Sequence, residues 1–507
     1  MATEVELKLL IQSADIARLR RHPLLKAQAA GRPSTKHLLS IYFDTPDLAL
    51  RQQRVALRVR RVGQRWVQTV KGGGEVQGGL HRRGEWEDQV AHPQPDLTKI
   101  QTPELVALFS SPQVRDRLQA LFSTEFKRTA WLLQWDNGDE VELALDQGEV
   151  KSGECGRPIS EVELELKNGH PARLYQVALE LQRTIPLRLE NISKAERGYN
   201  LCHPAPPLVV KAVMPKIDAG MSVAEAFQAI AWNCIGHWTA NQEGLLAAAE
   251  PEFIHQMRVA LRRLRSALPL FKSAIPRESY ADIGAELKWL ANELGPARNW
   301  DVFVSQTLPP VLAQFPGDES LEQLRLAATQ AQTVAREKAR QALLSPRYDR
   351  LLLNLGAWLL ADGWHAQASE AHKQRLGEPV PELARRMLGK RHKTVHCHGP
   401  RLAEMPPEER HQVRIAVKKL RYATEFFSAL YPAKLSRAYL DAMSALQDEL
   451  GVLNDVATTR ALLAELESAH GHAAGIVAGW CGRGLAQHLA SLDKAWQAFC
   501  ACRPFWK

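Results

Sequence analysis

At 507 residues the chain exceeds one ordinary core, and its 45% hydrophobic content is that of a globular protein with two or more interiors. The 7 cysteines are scattered and form no C-x-x-C pair, which excludes a disulfide framework and a zinc ribbon and leaves reduced thiols. No uncharged apolar run is long enough to span a membrane, and Glu4 and Glu6 stand where a secretory leader is basic and then apolar. A cytoplasmic protein with no membrane partner is therefore expected, while the net charge of +9, spread over both halves, points to an anionic partner.

The chain opens on Met-Ala-Thr-Glu-Val-Glu-Leu-Lys. In an extended strand Glu4, Glu6 and Lys8 project from one face. Such a row suits a divalent metal held beside a phosphate, although alternating charge on a strand is more often a solvated face. Alternation then predicts strands over 37–43, 55–61, 65–71, 83–90, 126–134, 140–145 and 161–166. Gly72-Gly73-Gly74 and Gly78-Gly79 mark one loop, and Asn137-Gly138 a tight hairpin. Helical periods fall at 13–21, 102–109 and 172–181, so the sum is a mainly antiparallel α+β domain that a closed barrel would satisfy.

The strands carry charge on shared faces. Arg58 lies with Arg60, Thr69 with Lys71, Arg83 with Glu85 and Glu87, Glu140 with Glu142, and Glu161 with Glu163 and Glu165. A one-sided sheet would put them in water. A barrel that is polar within would pack Val5, Leu7, Val59, Val141, Leu143, Val162 and Leu164 on its outer face. Ions inside must be paired or hydrated, and carboxylates facing Arg and Lys are what metal-assisted phosphoryl transfer requires, which favours the second arrangement.

Several words of this region resemble the CYTH domain, the triphosphate tunnel metalloenzyme family: Glu4-Val-Glu-Leu-Lys8, Tyr42-Phe-Asp-Thr-Pro46, Leu57-Arg-Val-Arg60, Thr69-Val-Lys71, Arg83-Gly-Glu85, Leu145-Asp146-Gln-Gly148, Glu161-Val-Glu-Leu-Glu165 and Ser193-Lys194-Ala-Glu-Arg197. The resemblance runs in order over residues 1–202. It implies an antiparallel β-barrel tunnel that binds a triphosphate with Mg²⁺ or Mn²⁺. It makes Glu4, Glu6, Glu163 and Glu165 the metal ligands, with Glu142, Asp146 and Glu161 as weaker candidates. Lys8, Arg58, Arg60, Lys71, Arg83, Arg128, Lys194 and Arg197 become triphosphate ligands. Glu6 and Lys8 are then the catalytic pair, Lys8 orienting the attacking water or stabilising developing charge.

A Pro-rich linker, 203–216, separates this domain from a region of helical period, 217–500. Long segments rich in Ala, Leu, Arg, Glu and Gln predict an all-α bundle. His255-Gln-Met-Arg-Val-Ala-Leu-Arg-Arg-Leu-Arg recurs as His411-Gln-Val-Arg-Ile-Ala-Val-Lys-Lys-Leu-Arg at an offset of 156 residues, and Glu293-Leu-Gly recurs as Glu449-Leu-Gly at the same offset. Two halves related by approximate twofold symmetry are expected. His255, Arg258, Arg262 and Arg265 form one stripe of a helix, and His411, Arg414, Lys418 and Arg421 repeat it. A stripe of one sign forgoes the usual i, i+4 acid–base pairs and so points to a linear polyanion. Nucleic acid is not expected, since Tyr422 is the one aromatic beside either stripe's basic end. His392, His396 and His398 suggest a metal, but Arg391 and Lys393 beside them favour a basic surface patch.

The words above, with Leu294-Gly-Pro-Ala-Arg-Asn299 and Leu450-Gly-Val-Leu-Asn-Asp455, resemble the CHAD domain, the conserved histidine α-helical domain. That resemblance implies binding of inorganic polyphosphate through both stripes. Together the two resemblances imply an inorganic triphosphatase that hydrolyses tripolyphosphate, brought by its helical region to polyphosphate-rich sites. Deletion of 217–507 is then expected to abolish such co-localisation and to spare turnover. The rivals are a thiamine or nucleoside triphosphatase, a class IV adenylate cyclase, and a non-catalytic polyphosphate-binding scaffold, which would gain nothing from the carboxylates.

Overall fold

The computed structural model describes residues 2–248, 250–361, 364, 368–398, 402–483 and 485–506. It contains two compact units, Met1–Pro206 with Ser345–Gly363, and Pro207–Leu344 with Trp364–Lys507.

The first unit is built on nine antiparallel strands: β1 Ala2–Ile11, β2 Ser34–Asp44, β3 Ala56–Val62, β4 Arg65–Gln77, β5 Leu80–Val90, β6 Gln119–Gln134, β7 Glu140–Ser152, β8 Cys155–Asn168 and β9 Leu187–Leu189. They lie in the order β5-β4-β3-β2-β6-β7-β8-β1-β9, and the sheet curls until β1 also pairs with β5. Register decides which residues face inward. Lys8 lies opposite Glu163 and Glu163 opposite Ala144, while Arg58 lies opposite both Tyr42 and Thr69. Opposed residues share a face, so the charged positions of each strand line one interior. The intervening Leu7, Val59, Val141, Leu143, Val162 and Leu164 are fully buried on the outer side. There Val59 and Val70 join Leu105 and Phe109 of the helix Pro103–Ser110 in one apolar cluster. The barrel is therefore polar within and apolar without.

Gly72-Gly73-Gly74 does not form the expected loop. β4 runs on to Gln77 with a register shift between Gly72 and Glu75, and the turn is confined to Gly78 and Gly79, both with positive φ. Asn137-Gly138 is the expected hairpin, with Gly138 at φ 85°.

The second unit is helical. The helix Pro251–Ala267 and the helix Pro407–Phe427 carry the two basic stripes, and each begins at a proline in its first turn, 156 residues apart. Ala281–Val302 follows the first and Ala433–Arg483, kinked at His470, follows the second. The segment before the helix Val223–Ala240 is tied down by Asn241, whose side chain accepts from Val210 N–H and donates to the Val210 carbonyl. No helix among the described residues is long and apolar enough to cross a membrane.

The helix Pro346–Leu360 lies in the helical stretch of the sequence, yet it belongs to the first unit. No periodicity announces this. His392 and His396 also depart from the basic-patch reading. Their rings lie 4.1 Å apart among Tyr439, Phe499 and Trp506, and His392 Nδ1 is 2.7 Å from the Tyr439 hydroxyl.

Candidate active site

The interior of the barrel interleaves carboxylates and cations. On β1, Lys8 lies 2.8 Å from Glu6 and also pairs with Glu163. Glu4 pairs with Lys71, which is 3.2 Å from Glu85, and Arg58 is 3.2 Å from the same Glu85. Arg128 grips Asp146 in a fork of 2.8 and 2.6 Å and reaches Glu163. Lys194 lies 2.6 Å from Asp146 and 3.0 Å from Glu163 and contacts Glu161, to which Arg197 also pairs. Arg60 donates to the Ser40 hydroxyl at 2.9 Å. Among the described residues it makes no ion pair.

The first turn of the helix Lys194–Cys202 delivers Lys194 and Arg197, and Arg51, which bonds Asn200 at 2.7 Å and pairs with Glu196, holds that helix along with three further contacts. Ser193 caps it by accepting from Glu196 N–H. The Tyr199 hydroxyl donates to Asp44 at 2.9 Å, while Asp44 accepts the backbone N–H groups of Thr45, Leu50 and Arg51. The backbone of Gly198 lies so close to the Phe122 ring that a Cβ would sit 2.0 Å from it. The Tyr-Phe-Asp-Thr word is thus the socket of the helix that carries two tunnel cations.

Pairing sets the protonation. Burial raises the Glu6 carboxyl, but Lys8, Lys71 and His81 together outweigh it and hold the group at about 2. Glu163 is likewise driven well below the carboxylate range, against burial, by Lys194, Lys8 and Arg128. Burial and neighbouring Glu6 push Glu4 up. Burial, then Arg58, brings Arg60 down to about 10.

Of the proposed metal ligands, Glu4, Glu6 and Glu163 line one cavity with Lys8, Arg58, Arg60, Lys71, Arg128 and Lys194. Glu165 stands opposite Glu6 in register but pairs with Lys167 at 2.6 Å, and Glu142 stands opposite Glu165. Asp146, Glu161 and Glu163 each place an oxygen within 4.8 Å of the others and are buried, so the weaker candidates Asp146 and Glu161 sit deeper than Glu165. Arg83 lies opposite Glu4 in register, and its side chain is outside the described ones. Tyr42, cited at first only as part of a motif, also lines the cavity. Burial pushes its hydroxyl up, but Arg58 and Arg60 beside it outweigh that and lower its pKa.

Residues 2–199 match the CYTH domain model and residues 229–464 the CHAD domain model. The chain joins a CYTH domain to a CHAD domain. Over 164 residues it is 37% identical to the inorganic triphosphatase of Haemophilus influenzae, a match that covers 32% of this chain and 44% of that protein. The chain thus spans less than half of that relative's length. The crystal structure of the CHAD domain from Ricinus communis aligns with 36% identity and a TM-score of 0.51, covering 59% of this chain and 98% of that one.

In the CHAD region a cavity of about 510 Å³ is lined by five residues of the two basic stripes, His255, Arg258 and Arg262 of the first and Arg414 and Lys418 of its repeat, and by Arg298. Arg265, His411 and Arg421 are not in that lining. His411 is 2.9 Å from Asn454, and Arg421 donates to Glu425 at 2.9 Å. Arg298 escaped the sequence reading because the repeat hides it: Asn454 occupies the equivalent position at the 156-residue offset, and Asp455 the position of Asn299. Gly295 makes room for Arg258, whose Nη1 would lie 3.1 Å from a Cβ there and which donates to the Ala291 carbonyl. Burial, then Arg298, brings His255 down to about 4, and burial, then Arg262, brings Arg258 down to about 10.

Proposed function

We propose that the protein is a metal-dependent inorganic triphosphatase that hydrolyses tripolyphosphate to diphosphate and phosphate, and that its CHAD region binds inorganic polyphosphate. One observation carries the reading: the interior of a closed barrel sets Glu4, Glu6 and Glu163 within one cavity lined by six cations. A site for an organic anion would need the cations alone. Carboxylates among them make sense when a divalent cation shares the site, and Glu4, Glu6 and Glu163 have the hard oxygen donors that Mg²⁺ or Mn²⁺ takes. Bound there, the ion supplies Lewis-acid polarisation of the phosphoryl oxygens. Glu6, at about 2, stays ionised at any working pH and so stays a ligand.

The chain's own residues do the rest. Arg58, Lys71, Arg128, Lys194 and Arg197 exchange carboxylate for phosphate oxygens, the Arg side chains in fork geometry, while Arg60 has no carboxylate among the described residues to give up. Lys8, beside Glu6 and Glu163, orients the attacking water and takes up charge developing on the terminal phosphoryl group. The relative's name, inorganic triphosphatase, supports tripolyphosphate over an organic triphosphate.

The test is phosphate release from tripolyphosphate with Mg²⁺ or Mn²⁺, with thiamine triphosphate and ATP run in parallel and Glu6→Gln as the control. Metal-dependent release that prefers tripolyphosphate and is lost by at least 100-fold in Glu6→Gln is expected, on the order of the loss when one charge-stabilising group is removed. Equal activity in Glu6→Gln would overturn the assignment, and release from none of the three would leave a polyphosphate-binding scaffold.

A further inference from the structure

The helix Pro346–Leu360 is delivered from within the helical stretch of the chain but packs in the first unit against the helix Ala172–Gln182 and β9. Two of its residues define how it docks. Gly356 receives the Tyr175 ring so closely that a Cβ would lie 2.1 Å from it. Asp349, buried, accepts the Leu189 N–H at 3.4 Å. The two residues are seven apart, two helical turns, and therefore share a face.

What they touch leads to the closing seam of the barrel. β9 pairs with β1 through Leu189 and Leu9, and the next residue, Glu190, donates its N–H to the Lys8 carbonyl at 2.9 Å. The Tyr175 hydroxyl donates to the Gly78 carbonyl at 2.9 Å, and Leu189 fills the space where a Cβ of Gly79 would lie. Gly78 and Gly79 form the turn between β4 and β5, and β5 is the strand that meets β1 to complete the ring. The helix thus backs both sides of the seam, one through Asp349 and Leu189, the other through Gly356 and Tyr175.

We propose that residues 346–360 act as a clasp that fixes the Lys8 strand and the Gly78–Gly79 turn, so that hydrolysis in the tunnel requires this helix to be docked. The proposal rests on the triphosphatase reading for its activity readout. Its surface is the face made by the helix Ala172–Gln182 and β9, and its occupant is a named segment of the same chain. Tyr175, Leu181, Leu187 and Leu189 are all at most 5% exposed in the unit, and an undocked helix would bare them. Apolar burial of that kind is a strong reason for the helix to stay in place. The expected effect of deleting 217–507 changes accordingly: that deletion removes the clasp, and turnover falls with it.

The experiment uses the full chain. Gly356→Leu places a side chain where the Tyr175 ring lies, and Tyr175→Ala combined with Gly356→Leu refills the same space from the other side. Amide hydrogen exchange at 187–190 and 78–80 is measured beside tripolyphosphate hydrolysis. Gly356→Leu is expected to speed exchange in both segments and to lower hydrolysis at least 10-fold, and the double variant, which lets the helix dock again but still lacks the Tyr175 hydroxyl, to restore slow exchange at 187–190 and part of the hydrolysis while 78–80 stays fast. Exchange and turnover equal to the parent in Gly356→Leu would refute the clasp. So would a double variant no better than the single one. If Gly356→Leu is recovered only as aggregate, Tyr175→Phe, which removes just the bond to Gly78, decides: faster exchange at 78–80 supports the clasp and unchanged exchange refutes it. Should the parent hydrolyse no triphosphate, the enzymatic reading fails by itself, and the exchange data still decide the clasp.

Discussion

Lys418 offers the sharpest test of polyanion binding in the CHAD region. Its ammonium shares a cavity with Arg258, Arg262 and Arg414, and the carboxylates there are Asp448 and Asp455. Burial first, then Arg262 and Arg414, lower its pKa to about 7, with Asp455 pulling the other way. A phosphate chain laid in the cavity cancels the repulsion and, by pairing its own negative charge with the ammonium, offsets the cost of burial, so that the group returns toward its ordinary value of ~10.4. Binding then takes up a proton wherever free Lys418 has lost one. Affinity is therefore full below pH 7 and declines as pH rises through that value. With about 7 in the free protein and ~10.4 in the complex, Kd rises about 50-fold between pH 7 and 9. His255, at about 4, is neutral across that window and adds nothing to the slope. Fluorescence polarisation with a labelled long-chain polyphosphate, whose internal phosphates stay ionised throughout, measures the slope. Lys418→Arg keeps its charge and is expected to bind with nearly constant Kd. A parent Kd that holds within twofold from pH 7 to 9, or a slope in Lys418→Arg as steep as the parent's, would refute the reasoning.

Two further outcomes follow from buried groups in the first unit. Tyr199→Phe removes the hydroxyl that Asp44 accepts, a bond to a charged group worth ~1.5–3 kcal/mol. It should lower the Tm of the unit and raise KM for tripolyphosphate more than it changes kcat, because the helix it loosens carries Lys194 and Arg197, and an unchanged KM beside a lowered Tm would separate the socket from the site. Asp349 is pushed up to about 7 by burial, with Arg188 opposing. Folding then retains a proton that the unfolded chain has released, so stability is full below the unfolded value of ~3.9, falls by about 1.4 kcal/mol per pH unit, and levels off above pH 7. Asp349→Asn removes that slope, and the Tm gap between variant and parent should widen from pH 5 to 7; a constant gap would contradict the assignment.

The tunnel was legible because strand parity is rigid. Once Glu4, Glu6 and Lys8 share a face, a strand has no freedom to turn one of them away, and the same rule placed Arg58 with Arg60 and Glu161 with Glu163. Strand ends were less legible. β6 begins at Gln119 and β4 runs through three glycines, since cross-strand pairing and a register shift sustain stretches that local preference would end. Depth inside the barrel was hidden too: parity puts Glu161, Glu163 and Glu165 on one face, but which of them meets Asp146 depends on register with the neighbouring strand β7. In the CHAD region the stripe of His255, Arg258 and Arg262 was readable from helical spacing. Arg298 was not, for it stands on another helix where the repeat carries Asn454. The histidines at 392 and 396 misled because the aromatic side chains around them come from residues 439 to 506, far along the chain.

The clasp helix carries a consequence for the order of synthesis. A ribosome that has finished the last strand of the barrel, β9, still has to make more than one hundred further residues before the helix Pro346–Leu360 emerges. At ~5–20 residues per second this is a wait of roughly 8–30 s, far longer than local strand pairing takes. During that interval the nascent barrel displays the bare face of Tyr175, Leu187 and Leu189 at its seam, and the helices that will form the second unit are being extruded beside it. The amino-terminal domain, first to be made, is therefore among the last to be finished, and a chaperone that covers one apolar patch would find this one waiting.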